Sequence, residues 1–340
     1  MKSNYWPRAV ALSTALAAGC SSGASPLPFA PAAPGQAGSN QPASAAAAHA
    51  SSDRKHAPVA TNYIYVSDRE RNELLVYSAH GSNPRPVRAI GATQGIVQIG
   101  GVAVDRSGDV YVANGSGGDV LEFDSGAQSL VKKYSKGLNH PVNLAVDAQD
   151  MLYVVDQDAH YASGATSAIV EYPSGADSPA TIIYDPSSDP LRAIAVDSRG
   201  SVLASTSAGG DVWPPPVADC SLPPNNTVYD FIFPTLIMPM TLKNNTQIWG
   251  LAVDSHDALY ASDFCRQTVQ KYARSGGKYL GNAAYSCPTP GYQTVSWDHM
   301  SIVPCAGAGT NGSVAIVDGL RIEATITNGL RSPIGAAAGP

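Results

Sequence analysis

The sequence predicts an all-β fold, a six-bladed β-propeller, and three observations carry that expectation. A four-residue phrase recurs as Val102-Ala103-Val104-Asp105, Leu144-Ala145-Val146-Asp147, Ile194-Ala195-Val196-Asp197 and Leu251-Ala252-Val253-Asp254. A short turn and a second apolar run follow each copy: Val110-Tyr111-Val112, Leu152-Tyr153-Val154, Val202-Leu203-Ala204 and Leu259-Tyr260-Ala261. The two ends of the repeat region hold complementary halves of this unit. Ile64-Tyr65-Val66-Ser67-Asp68 is a second strand with no first, and Pro333-Ile334-Gly335-Ala336-Ala337-Ala338-Gly339 is a first strand with no second. Repeats of roughly 40–50 residues made of short strands and turns are the signature of a propeller.

The chain begins with Lys2 and Arg8, an apolar stretch from Ala9 to Ala18, and the pair Gly19-Cys20. A charged start, an apolar core and small residues at a cleavage point read as an export signal over residues 1–19. From residue 20 to 60 the composition is Ala, Ser, Pro and Gly with almost no large apolar side chain. Such a stretch cannot bury enough surface to offset ordering, so a disordered tether is expected there. The propeller then occupies residues 61–340.

Counting blades uses the recurrent Asp as a ruler. Asp105, Asp147, Asp197 and Asp254 are followed by a degenerate copy, Ser301-Ile302-Val303-Pro304, read as the first strand of blade six. The C-terminal first strand completes the N-terminal second strand, which makes six blades in a closed ring without exposed edges. Two residues before the ruler stand Ala103, Ala145, Ala195, Ala252 and Ala337, small enough for strands crowded at the axis. The ruler Asp opens a tight turn such as Asp105-Arg106-Ser107-Gly108, where its carboxylate can bond the turn's own backbone. It is therefore read as structural. Third strands are placed at Leu74–Tyr77, Val120–Phe123, Ile169–Tyr172 and Val269–Tyr272. Blade four's third strand is placed at Val212-Trp213-Pro214-Pro215-Pro216, short or at an edge because proline donates no ladder bond. Blade six shows no clear third strand.

Composition narrows the function classes. The formal charge is −6, with 14% charged residues. Loss of Lys2 and Arg8 with the signal would make it more negative still. No basic patch exists to neutralise phosphates, which argues against a nucleic-acid partner and against binding to anionic headgroups. Of five cysteines, Cys20 belongs to the signal region; Cys220, Cys265, Cys287 and Cys305 are candidates for two disulfides, with three pairings open. A monomer is expected.

Two resemblances add to this reading. Leu16-Ala17-Ala18-Gly19-Cys20 resembles the lipobox of bacterial lipoproteins, although Ala17 stands where Leu is usual. By that resemblance Cys20 would carry a lipid, giving a periplasmic or cell-surface protein tied to the membrane through the lipid alone. The run His140-Pro141-Val142-Asn143-Leu144-Ala145-Val146-Asp147, then Leu152-Tyr153-Val154-Val155-Asp156 and Ile169-Val170-Glu171-Tyr172, resembles the NHL-repeat propellers. That family includes scaffolds, receptor modules, lyases and lactone hydrolases, so it speaks to fold more than to function.

Ligands of such rings usually sit at one mouth of the channel. Five residues before the ruler stand Gly100, Val142, Arg192, Trp249, His299 and Ile334; after the second strands stand Asp68, Asn114, Asp156, Thr206, Asp263 and Asp318. The residues picked as a candidate ligand site are Arg192, Trp249, Trp297, His299, His140, Asp156 and Asp263, which together offer charge, aromatic faces and donors suited to a small molecule, glycan or protein segment. The alternative is a metal-dependent lyase or gluconolactonase-like lactone hydrolase using calcium or zinc near His299, Asp263 and Asp156. The zinc-binding branch of the NHL family carries several histidines where this chain has His299 alone, so no cofactor is carried over. The expected function is a binding module rather than an enzyme.

Overall fold

A computed structural model describes residues 63–157, 165–185, 189–206, 220, 226–232, 236–245, 247–287, 291, 294–295, 300–306, 311–318 and 320–339. The export signal, Cys20 and the tether lie outside these residues, as do the segment Val212–Pro216, Trp297 and His299.

Among the described residues, twenty-four strands form six four-stranded antiparallel sheets arranged in a ring, a six-bladed β-propeller. In chain order, blade one contributes β1 (Tyr63–Asp68), β2 (Glu73–Ser78) and β3 (Pro86–Ile90). Blade two is β4 (Ile99–Val104), β5 (Val110–Asn114), β6 (Asp119–Phe123) and β7 (Leu130–Tyr134). Blade three is β8 (Pro141–Val146), β9 (Leu152–Gln157), β10 (Ser167–Tyr172) and β11 (Thr181–Tyr184). Blade four is β12 (Leu191–Val196), β13 (Val202–Thr206), β14 (Thr227–Ile232) and β15 (Leu236–Thr241). Blade five is β16 (Ile248–Val253), β17 (Ala258–Asp263), β18 (Thr268–Ala273) and β19 (Tyr279–Ser286). Blade six is β20 (Thr294–Val295), β21 (Met300–Cys305), β22 (Ser313–Asp318) and β23 (Arg321–Ile326). The last strand, β24 (Pro333–Ala338), pairs antiparallel with β1 and closes the ring, as the two half-units in the sequence require.

Two expectations are corrected. Blade four's third strand is Thr227–Ile232, paired to β13; it lies beyond the proline run, where every ladder donor is present. In blade six the innermost strand is the two-residue Thr294–Val295, and Ser301–Pro304 belongs to the second strand. The blade has a third strand after all, Ser313–Asp318. This shift moves Asp318 to the end of a third strand, opposite Met300 and away from the end where the other five second strands finish.

The core is six seams, one between each pair of adjacent blades. Leu74, Val76, Val112 and Phe123 fill the seam of blades one and two, for example, and Ile64, Val66, Val314 and Ile326 that of blades six and one. Because each blade is covered on both faces, its inner strands read as continuous apolar runs rather than alternating ones.

The ruler aspartates do what their turns ask. One Asp105 oxygen accepts from the amides of Ser107 (2.8 Å) and Asp109 (2.9 Å) while the other accepts from the Tyr111 hydroxyl (3.2 Å). Asp147 repeats this with Gln149, Met151 and Tyr153, and Asp254 with His256, Ala258 and Tyr260. Blade four has Leu203 instead of the tyrosine, and Arg274 from blade five reaches Asp197 in its place (3.2 Å).

Asp105 and Asp254 hold their protons with different strength because what faces them differs. Across the ladder Tyr260 pairs with Lys271, whose ammonium lies 3.2 Å from Asp254, whereas Tyr111 pairs with the acid Glu122. Burial, aided by the Asp109 charge, pushes Asp105 up to about 6. Burial also pushes Asp254 up, but the Ala258 amide and Lys271 outweigh it and hold the carboxyl below its ordinary value. Asp105 therefore favours its protonated form in the fold, and its contribution is lost as pH rises from about 4 through about 6. Asp254 contributes above the ordinary carboxylate range, and that contribution is lost as pH falls through its depressed value. Asp105→Asn keeps both amide bonds and is expected to equal or exceed the wild type in melting temperature at pH 8, with the advantage gone at pH 4. Asp254→Asn is expected to cost about 1–3 kcal/mol at pH 8 by leaving Lys271 without its carboxylate, and less near pH 3. Melting curves of both variants across pH check the opposite signs.

Two disulfides link Cys220 to Cys265 and Cys287 to Cys305. They fit an oxidising, extracytoplasmic compartment, and among the described residues no helix is long and apolar enough to cross a membrane. With a sequence separation of 18 residues, loss of the Cys287–Cys305 link is expected to cost about 3 kcal/mol by loop-closure entropy. Calorimetry of Cys287→Ala/Cys305→Ala measures it.

Candidate functional site

The channel mouth is built by a bulge repeated at the start of the innermost strands. Opposite Asp156 and Val155 stand Pro141 and Asn143, so Val142 is left out of the ladder. Arg192 is skipped in the same way in blade four, Trp249 in blade five and Ile334 in blade one, and Gly100-Gly101 face the single residue Ala113 in blade two. A bulge frees one residue from pairing and re-aims its side chain. The residues five before the ruler are these bulged ones.

In blade six the corrected register puts Gly291 in that position instead of His299. The geometry agrees: a Cβ on Gly291 would lie 2.3 Å from the Ile334 carbonyl oxygen of the next blade, as one on Gly100 would lie 2.5 Å from that of Val142. Glycine is required at both places because the neighbouring strand passes through the space a side chain would fill. The ring of six is thus Gly100, Val142, Arg192, Trp249, Gly291 and Ile334, uneven in size and chemistry around the axis.

On the side of blades four and five the ring is filled. The Arg192 guanidinium lies 4.1 Å from the centre of the Trp249 ring, and Phe264 stacks on that ring at 4.6 Å. Both Arg192 and Trp249 are buried. Cation and π-face so desolvated attract more strongly than at an exposed site. Phe264 was not anticipated from the sequence. Its place is set by its amide, which donates to the Gln247 carbonyl (2.9 Å), and by Asp263, which accepts from the next two amides, Cys265 and Arg266. The Cys220–Cys265 disulfide fastens the same turn.

On the side of blades one to three the ring leaves a half-open cleft. Gly100, Val142 and Ile334 form part of its lining, and Arg69, Gln98 and His140 bring polar groups to it. His140 and the Arg192–Trp249 pair belong to different sectors of the mouth.

The acidic positions after the second strands hold the loops in shape. Asp156 accepts from the Asn139 amide (3.1 Å) and the His140 amide (2.7 Å). Asn114 accepts from Val97 and Gln98, and Asp68 from Arg331 and Ser332. Each ties down the loop entering the first strand of its own blade; Asp68 and Asp263 bond the turn that follows as well. In blade six the slot is taken by Cys305, the last residue of β21, and its disulfide to Cys287 joins the same two segments covalently.

Of the three residues named for calcium or zinc, His299 lies outside the described residues. The ring positions carry no metal-binding side chain; Asp156 accepts from backbone amides, and of the two Asp263 oxygens one accepts from backbone amides while the other lies 3.8 Å from the Arg266 Nε. Among the described residues no three His, Cys, Asp or Glu side chains come together. No protein family and no curated protein matches the chain. The fold and its mouth thus define the class, a six-bladed propeller.

Proposed function

We propose that this protein is a lipid-anchored, extracytoplasmic propeller of the NHL type that acts as a binding module through its channel mouth. One observation carries the reading: bulges aim a varied set of side chains at one mouth, while the carboxylates around it serve the backbone. A scaffold that fixes its acids as loop caps and varies its ring residues is suited to recognition. The two disulfides and the export-type N-terminus support a location outside the cytoplasm, where a lipid on Cys20 would hold the tethered ring at a membrane surface. Cys20→Ala is expected to move the protein from the membrane to the soluble fraction on cell fractionation, and unchanged partitioning rejects the anchor. Stoichiometric calcium or zinc in the purified protein, together with turnover of a lactone, would reject the binding reading in favour of an enzyme.

A further inference from the structure

We propose that the Cys220–Cys265 disulfide is a thiol-sensitive clasp on the channel mouth; as a control on binding, this rests on the mouth being the binding face. The two disulfides stand in opposite surroundings. Cys287 and Cys305 are 0% and 3% exposed, whereas Cys220 is exposed and Cys265 half-buried. Thiol–disulfide exchange begins with a thiolate reaching one sulfur, so access decides which link opens first. A dithiol meets the exposed link at Cys220. Its thiolate forms a bond to the Cys220 Sγ, the Cys220–Cys265 bond breaks, and the electron pair leaves on the Cys265 Sγ. The second thiol then displaces Cys220 and closes the dithiol to a cyclic disulfide. Two electrons have passed to the protein, and the dithiol's two protons end on Cys220 and Cys265.

The clasp joins the two blades that fill their side of the mouth. At this end of the ring the link from second to third strand is residues 69–72, 115–118 and 264–267 in blades one, two and five, but 207–226 in blade four. Cys220 lies in that long link and Cys265 in blade five's short turn, so the bond ties blade four to blade five across a sequence separation of 45. The residue beside Cys265 is Phe264, whose ring stacks at 4.6 Å on Trp249, the aromatic face under Arg192. Main-chain bonds hold the same turn independently. The Phe264 amide donates to the Gln247 carbonyl (2.9 Å), and the Gln267 carbonyl accepts from the Cys287 amide (2.8 Å). Cys287 is itself fixed by the buried disulfide. Opening the clasp therefore loosens the turn and the Phe264 ring without unfolding the blade, and reoxidation returns it.

The test takes the oxidised full-length protein through increasing dithiothreitol, blocks free thiols with N-ethylmaleimide and locates the label by mass spectrometry. Cys220 and Cys265 are expected to be labelled at a dithiothreitol concentration about tenfold lower than Cys287 and Cys305. At that lower concentration, hydrogen exchange in a peptide holding Phe264 to Gln267 is expected to quicken about tenfold, while Val110–Phe123 in blade two stays unchanged. Removing the dithiol and reoxidising is expected to restore the slow exchange. Cys220→Ser/Cys265→Ser is expected to exchange like the reduced protein with or without dithiothreitol; if that variant does not fold, the wild-type cycle decides. Labelling of all four cysteines together, or labelling of Cys220 and Cys265 with exchange unchanged at Phe264, overturns the clasp and leaves a plain staple. Exchange that stays fast after reoxidation overturns it too. No ligand enters these measurements, so their failure is separate from failure of the binding reading, which metal content and lactone turnover test.

Discussion

Chains ending at Arg331 are expected to lose cooperative folding altogether. The nine residues removed include β24, every residue of which is buried. Ala336 and Ala338 pack in the seam between blades six and one, and Ala337 in that between blades one and two. Without β24 both seams open at the axis, and β1 presents an unpaired edge where a ladder of main-chain bonds stood. The neighbours suffer too, because the Arg331 and Ser332 amides cap on Asp68 and the Arg69 amide donates to the Ser332 carbonyl (2.9 Å). A domain holds only about 5–15 kcal/mol of net stability, and reopening two of six seams removes a comparable amount. The truncated chain is expected to show no sharp thermal transition and no near-ultraviolet dichroism, and to be cut rapidly by protease. A cooperative melt within about 5 °C of the intact protein would show that closure by β24 is dispensable.

The sequence was most legible where turn chemistry is strict. The ruler Asp recurs in blades two to five because one carboxylate must satisfy two turn amides, and the Tyr six residues later recurs in three of them because the second oxygen needs a donor. Blade six was misread for a physical reason. Inner and second strands are both short apolar runs, and only the Asp turn distinguishes them; Thr294–Val295 lacks that Asp, so Ser301–Pro304 took its place. The mouth was legible as a set of positions but not as an arrangement. A bulged residue is released from pairing, so its identity follows no strand pattern: Gly, Val, Arg, Trp, Gly and Ile share one position. Phe264 left no signal, being one aromatic in a turn whose place depends on Trp249. By contrast, the tyrosines ending third strands could have been found by aligning blades. Tyr77 and Tyr272 donate to carbonyls of the preceding blade's outer turn, at Asn328 (2.9 Å) and Lys243 (3.0 Å). Each links one blade to the next, and they stand in matching register.

Trp249→Ala is expected to be the most damaging single substitution at the mouth. Trp249 is 5% exposed and is stacked between Phe264 and Arg192, so truncation opens a large cavity and also removes the face over which a 2%-exposed guanidinium lies. Burying a charge without its partner is costly, and Trp→Ala in a packed site alone costs about 3–5 kcal/mol. Trp249→Phe keeps a π-face beneath Arg192 and is expected to cost less than half as much. Arg192→Met, which removes the charge but fills similar space, separates packing from electrostatics. If Trp249 serves mainly to hold the cation, Trp249→Ala is expected to be clearly less damaging in the Arg192→Met background than in the wild type, a non-additivity that denaturant midpoints of the four proteins measure. Strict additivity would show that the tryptophan acts by volume alone. A coupled pair would mean that blades four and five close their side of the mouth as one unit.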